Sequence, residues 1–161
     1  MERIKKFLKS FVYAWGGIVS TVKNERNMRV HLSLFTYMMA FLIFGDWFVL
    51  SKAEWGVLLL CCALVISGEL INTAIENAVD LSAKEYNEFA KKAKDAASGA
   101  VLVSAIFSVA VGLVILLQPE AFRSMSHYFA ETPIAVVVLV LSFIPTFWFI
   151  FFFGSDRKNK K

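Results

Sequence analysis

Four apolar runs, each close to the length of a membrane crossing, divide this sequence and decide what it can fold into. They occupy 32–50, 55–81, 100–117 and 134–153. A spanning helix needs about 20 apolar residues. A one-domain chain of 161 residues that is 58% hydrophobic, with a mean hydropathy of +0.61, cannot hide that much apolar surface from water by itself. The fold expected is all-α and integral to the membrane: an N-terminal amphipathic surface helix followed by four transmembrane helices. Gly45 and Asp46 weaken the first run near its end, and the second turns polar along its length. Pro119 stops the third. Thr132-Pro133 opens the fourth as a cap followed by proline in the first turn, and Pro145 is expected to kink it. Short connections make neighbouring spans antiparallel.

The surface helix is read from Ile4, Phe7, Leu8, Phe11, Val12 and Trp15, which recur at helical spacing around Lys5, Lys6, Lys9 and Ser10. An apolar stripe opposite a basic face suits the headgroup region of a bilayer. No unbroken apolar stretch with a small-residue cleavage site follows the basic start, so no removed signal peptide is expected. Cys61 and Cys62 are adjacent, and neighbouring helical positions point apart, so they read as plain buried thiols. With no CxxC or His–Cys spacing, structural zinc is excluded.

The formal net charge is +4, and the position of the cations explains it better than a nucleic-acid partner does. Arg3, Lys5, Lys6, Lys9, Lys23, Arg26 and Arg29 precede the first span; Lys84, Lys91, Lys92 and Lys94 lie in the 82–97 loop; Arg157, Lys158, Lys160 and Lys161 form the tail. Only Lys52 and Arg123 fall on the other side. Such asymmetry places both termini and the middle loop in the cytoplasm, in a multi-pass protein of the cell membrane. The basic surface then meets anionic lipid, and no nucleic acid is expected.

The second span carries residues foreign to a membrane helix: Glu69, Asn72, Thr73, Glu76, Asn77 and Asp80. Steps of three, seven and eleven put Glu69, Asn72, Glu76 and Asp80 on one face. A charge at bilayer depth costs at least ~2.5–3.5 kcal/mol, so acids there are usually functional. If the apolar core ends near Ile75, Glu69 lies roughly 9 Å inside it at about 1.5 Å per residue, with Glu76 and Asp80 at or just beyond the boundary. Carboxylates graded in this way could hold Mg²⁺, which takes one or two of them together with substrate phosphates. The deepest could deprotonate an alcohol whose hydrocarbon tail lies in the bilayer. For Asn72, Thr73 and Asn77 alone, a polar seam between helices is the favoured reading.

Other polar groups open to the same compartment. Glu25, in Asn24-Glu25-Arg26-Asn27, can approach the membrane surface, and Lys94-Asp95 precedes the third span at the depth of Asp80. A lysine near a helix start suits phosphate, although alone it reads as a topology determinant. Lys91 and Lys92 suit headgroups, and Glu85 and Glu88 a solvated face. His31 reads as an interfacial polar contact. His127 has no partner in view. Asp46 and Glu54 look like solvated span ends, and the aromatic fourth span, Trp148 included, like lipid-facing bulk.

The run Glu69-Leu70-Ile71-Asn72-Thr73-Ala74-Ile75-Glu76-Asn77-Ala78-Val79-Asp80 resembles the signature of the prokaryotic diacylglycerol kinase family. The resemblance continues through Glu85-Tyr86, Ala93-Lys94-Asp95 and Gly99-Ala100-Val101-Leu102, and upstream to Ala14, Gly17, Asn24-Glu25 and Asn27-Met28-Arg29, covering roughly residues 7–117. It implies a small three-span enzyme, homotrimeric, with sites between subunits at the cytoplasmic surface, that moves the γ-phosphoryl of MgATP to a lipid hydroxyl. Carried across, Glu69 would be the general base, and Glu25 and Glu76 would hold Mg²⁺. Asn72 would organise the site, Lys94 would touch the ATP phosphates with Asp95 in support, and Asp80 and Glu85 would lie near the nucleoside. No Walker glycine motif occurs, and none is needed in this family. The pattern Asn27-Met28-Arg29-Val30-His31 is similar to the Gram-positive branch, where Gram-negative members carry an acid at the position of His31. That favours undecaprenol as substrate over diacylglycerol. Residues 1–117 would form the kinase unit, and 118–161 an extra span with a basic tail.

A proton or cation translocator is the competing class. It should carry acids through the full depth of several helices, whereas here the outer halves of the spans are almost free of charge. A catalytically dead membrane adaptor is disfavoured because the family positions keep workable residues, His31 apart.

Overall fold

The computed structural model describes residues 1–83 and 85–154; Lys84 and the tail cations Arg157, Lys158, Lys160 and Lys161 lie outside the described residues. Six helices follow in chain order: α1 (Glu2–Asn24), α2 (Arg26–Phe44), α3 (Lys52–Ser82), α4 (Glu88–Leu116), α5 (Pro119–Glu131) and α6 (Pro133–Phe152). No strand occurs among the described residues. Helices α2, α3, α4 and α6 are long and apolar enough to cross a membrane. The all-α membrane architecture expected from the sequence is the one observed.

Length explains why the site sits at one end. At about 1.5 Å per residue, α2 and α6 span roughly a 30 Å hydrocarbon layer, while α3 and α4 run about half as long again. Their surplus is the polar part, from Glu76 to Ser82 on α3 and from Glu88 to Asp95 on α4. The two helices form the most extensively packed pair in the molecule. Gly68 faces Val101 across the pair, at a distance where a Cβ would make ordinary van der Waals contact, 3.5 Å from Val101 Cγ2. Ser108 Oγ donates to Cys61 O at 3.3 Å across the same pair. Leu58, Val65, Ala97 and Val101 are the buried apolar residues of this hairpin.

The first span is shorter than its apolar run, which continues to residue 50. The helix stops at Phe44, with Gly45 as C-cap, and Asp46 takes a left-handed conformation at φ 48°. Aspartate tolerates that region better than most residues. Glycine is required at 45 because a Cβ would lie 2.2 Å from the Trp47 ring and 2.5 Å from Phe41 O. Trp47 therefore folds back over the helix end, stacking with Phe41, Tyr128 and Phe129. Glu54 is more than a solvated end: with Ser51 it closes a capping box at the start of α3.

The segment between the third and fourth spans reads as a connection in sequence, but it forms helix α5. Its Pro119 at the first helical turn and the spacing of Ala121, Phe122, Met125, Tyr128 and Phe129 were the available signals. Gln118 ties its start to the loop after α2, accepting from Val49 N and donating to Val49 O, both at 3.2 Å. Helix α6 runs unbroken through Pro145, whose ring nitrogen cannot donate to the carbonyl four residues back. It lies against α2, where the Tyr37 hydroxyl meets Ser142 Oγ at 2.9 Å and Thr146 Oγ1 at 3.0 Å. Helix α1 packs on α2 and α3, and leaves Ile4, Phe7, Leu8, Phe11 and Trp15 exposed, as a surface helix should.

Candidate active site

The site grows from the polar half of α3. Glu69 is 2% exposed, and Asn72 and Thr73 beside it are also buried. Along the face expected to carry 69, 72, 76 and 80, Asn72 Nδ2 donates to Glu76 Oε1 at 3.4 Å. The polar-seam reading of the amides and hydroxyl is not supported within the chain. Asn72 Oδ1 and Thr73 Oγ1 are buried without a hydrogen-bond partner, and Asn77 is exposed. Buried polar atoms are almost always paired; these two, next to the buried Glu69, have no partner within the chain.

His31, expected only as an interfacial contact, stands against the deepest acid. Its Nε2 lies 3.5 Å from Glu69 Oε1, with side-chain exposures of 21% and 3%. The antiparallel course of α2 and α3 brings the first turns of one beside the polar half of the other, a proximity that no spacing within one helix reveals. Below His31, an apolar groove of about 310 Å³ runs into the depth of the bundle between α2, α3 and α4, past Phe35, Met38, Val65, Ile66 and Val109. His31 lines this groove, while its partner Glu69 does not.

Toward the surface, Lys94 on α4 is ion-paired to Asp80 on α3. The sequence placed these two at one depth without pairing them. The contact joins the hairpin's polar ends and holds an ammonium beside the acid face. Asp95 and Glu85 are exposed, Glu85 in the connection before α4. The start of α4 is capped by Asn87, whose Oδ1 accepts from Phe89 N and Ala90 N. Glu88, read from sequence as part of a solvated face, pairs with Lys92 at 3.8 Å, both side chains exposed; the sequence reading set Lys92 against lipid headgroups instead.

Glu25 occupies the elbow between α1 and α2. Its extended backbone (φ −117°, ψ 116°) makes it the C-cap of one helix and the N-cap of the next. No three His, Cys, Asp or Glu side chains among the described residues converge to hold a metal unaided. Mg²⁺ does not ask for that; it takes one or two carboxylates and completes its shell with phosphate and water. Glu76 Oε1 faces the Asn72 amide nitrogen, and Asn72 Oδ1 is buried without a partner.

The sequence pattern described as prokaryotic diacylglycerol kinase matches residues 12–116, from within α1 to the end of α4. The chain belongs to the prokaryotic diacylglycerol kinase family. Among relatives of this family member, the undecaprenol kinase of Bacillus subtilis is 44% identical over 116 residues, 72% of this chain and 92% of that protein. A diacylglycerol kinase of Synechocystis is 43% identical over 113 residues, 70% of this chain and 63% of that protein. The Escherichia coli diacylglycerol kinase is 28% identical over 111 residues, 69% and 88%. The Bacillus similarity supports the Gram-positive, undecaprenol kinase-like branch. No solved structure matches significantly. Family and architecture together make this a multi-pass membrane protein of a lipid kinase family. Helices α5 and α6 lie beyond the matched residues.

Proposed function

We propose that this protein is an ATP-dependent lipid kinase that phosphorylates undecaprenol to undecaprenyl phosphate, working at the cytoplasmic face of the cell membrane with both termini inside. The observation that carries this reading is the buried Glu69 set against His31, which itself lines an apolar groove. The isoprenoid chain would enter the groove and present its terminal hydroxyl to Glu69. The Glu69 carboxylate accepts the hydroxyl proton as the alcohol oxygen attacks the γ-phosphorus of ATP; the bond from that phosphorus to the β–γ bridging oxygen breaks, and ADP leaves. Phosphoryl transfer of this kind demands positioning and charge neutralisation above all. Glu76, Asn72 and Glu25 would hold Mg²⁺, which supplies neutralisation of the phosphate charge when bound. Lys94 would exchange Asp80 for the ATP phosphates, with Asp95 in support and Asp80 and Glu85 toward the nucleoside. Residues 1–117 would form the kinase unit, with 118–161 appended, and the unit would assemble as a homotrimer as the family resemblance implies.

Diacylglycerol is the second reading, favoured by the 43% identical diacylglycerol kinase of Synechocystis. Labelled ATP with Mg²⁺ and each lipid in turn tests both: faster labelling of undecaprenol supports the first reading, faster labelling of diacylglycerol the second. If neither lipid is labelled, the kinase reading fails.

A further inference from the structure

Helix α6 lies outside the family match, yet its C-terminal end closes on the elbow that carries Glu25. Two separate contacts make this junction. The first is Arg29, the largest fully buried side chain at 1% exposure. Its Nε donates to Ile150 O in the last turn of α6 at 3.0 Å, and its Nη1 to Val22 O and Lys23 O in the last turn of α1, both at 3.1 Å. Carbonyls in a final helical turn have no N–H partner of their own, and a cation suits the negative end of each helix. One guanidinium on α2 thus ties two helix ends together. The second contact is Gly154, just past α6. It has φ +81°, and a Cβ there would stand 2.0 Å from Lys23 O. Only glycine lets the chain pass the elbow so closely. Higher up, Tyr37 holds α6 to α2 through Ser142 and Thr146.

A simple topology charge would be exposed and hydrated. Arg29 is buried and donates to three backbone carbonyls, at a cost that only a defined position for those carbonyls offsets. Glu25 stands two residues after Lys23 and four before Arg29, with its N–H on Thr21 O at 2.8 Å. Whatever fixes Lys23 and Arg29 therefore fixes the backbone from which the Glu25 carboxylate extends.

We propose that α6 is an intramolecular brace for the α1–α2 elbow, and that Arg29 and Gly154 are positioning residues that set where Glu25 presents its carboxylate. The proposal rests on the reading of Glu25 as a metal-holding residue of a lipid kinase. It gives the added span a task within the site instead of a merely peripheral place in the lipid.

Full-length wild type, Gly154→Ala and Tyr37→Phe are compared by two measurements that need no turnover. Amide hydrogen exchange over residues 20–30 reads the elbow. Mn²⁺ binding in the presence of a non-hydrolysable ATP analogue, followed by electron paramagnetic resonance, reads the metal site. In Gly154→Ala, exchange at the elbow should accelerate while that of 58–73 on α3 stays unchanged. Mn²⁺ affinity should fall roughly tenfold, the scale of losing a group that orients a metal ligand, with lipid KM within about twofold of wild type. Tyr37→Phe should move both readouts the same way by less, and carries the test if Gly154→Ala does not fold. Unchanged elbow exchange overturns the brace. Faster exchange with undiminished Mn²⁺ affinity overturns the link to Glu25, as does an affinity loss matched by equal loosening of α3. Wild type that neither binds Mn²⁺ with the nucleotide nor labels lipid overturns the kinase reading and the Glu25 role together, while the exchange data still decide the brace.

Discussion

His31 on α2 and Glu69 on α3 face each other with Nε2 3.5 Å from Oε1, and His31 lines the apolar groove between α2, α3 and α4. If Glu69 is the base of the proposed kinase, this contact makes His31 the group that orients its carboxylate. His31→Ala should lower kcat by about tenfold to a hundredfold, at the low end of what a group assisting proton transfer contributes, and leave the KM for MgATP unchanged. His31→Gln, which keeps a hydrogen-bond donor, should retain more activity than alanine. Equal activity in wild type and His31→Ala would remove the residue from the site.

Glu76 and Asn72 are assigned to the metal-bound nucleotide because one side-chain contact joins them and the amide oxygen has no other partner. Glu76→Gln should weaken Mg²⁺-dependent nucleotide binding by about 10–100-fold, seen as a rise in the Mg²⁺ concentration for half-maximal rate. A variant that lost only turnover, at unchanged Mg²⁺ dependence, would contradict this role.

Lys94 and Asp80 are partly exposed, so their ion pair should add little to stability, about 0–1 kcal/mol. Lys94→Ala is expected to leave the thermal midpoint in detergent nearly unchanged while raising the KM for ATP severalfold. A large fall in midpoint with unaltered KM would make the pair structural and free the nucleotide from it.

At Gly45 the strain is steric. Alanine would place its Cβ 2.2 Å from the Trp47 ring, forcing Trp47 off its stack with Phe41, Tyr128 and Phe129. Overpacking of this kind costs about 1–3 kcal/mol. Gly45→Ala should unfold at lower temperature but keep its KM for ATP, because the cluster lies at the far end of α2 from His31.

Period and charge were enough to read the spans, the surface helix and the shared face of Glu69, Asn72, Glu76 and Asp80, because each of these is a property of one helix. What was not legible is what two helices do together. His31 looked solitary until α2 was laid beside α3. Lys94 and Asp80 were matched in depth but not in partnership. Arg29 was counted among the topology charges, though burial and three carbonyls give it a structural task. Helix α5 was hidden because 13 residues with an even mix of apolar and polar side chains look like a connection unless the apolar ones are placed on a wheel. The end of the first span was misjudged because apolarity continues past Gly45, while the backbone turn at Asp46 does not allow the helix to follow.

The central claim is that Glu69 takes the proton from a lipid alcohol during phosphoryl transfer, and one comparison tests it most directly. Wild type and Glu69→Gln, each with labelled ATP, Mg²⁺ and undecaprenol in detergent, are assayed for labelled lipid and, in parallel, for nucleotide binding. The expected result is labelled undecaprenyl phosphate from wild type and a loss on the order of 1000-fold or more in Glu69→Gln, with nucleotide binding retained. Undiminished labelling by Glu69→Gln would contradict the account.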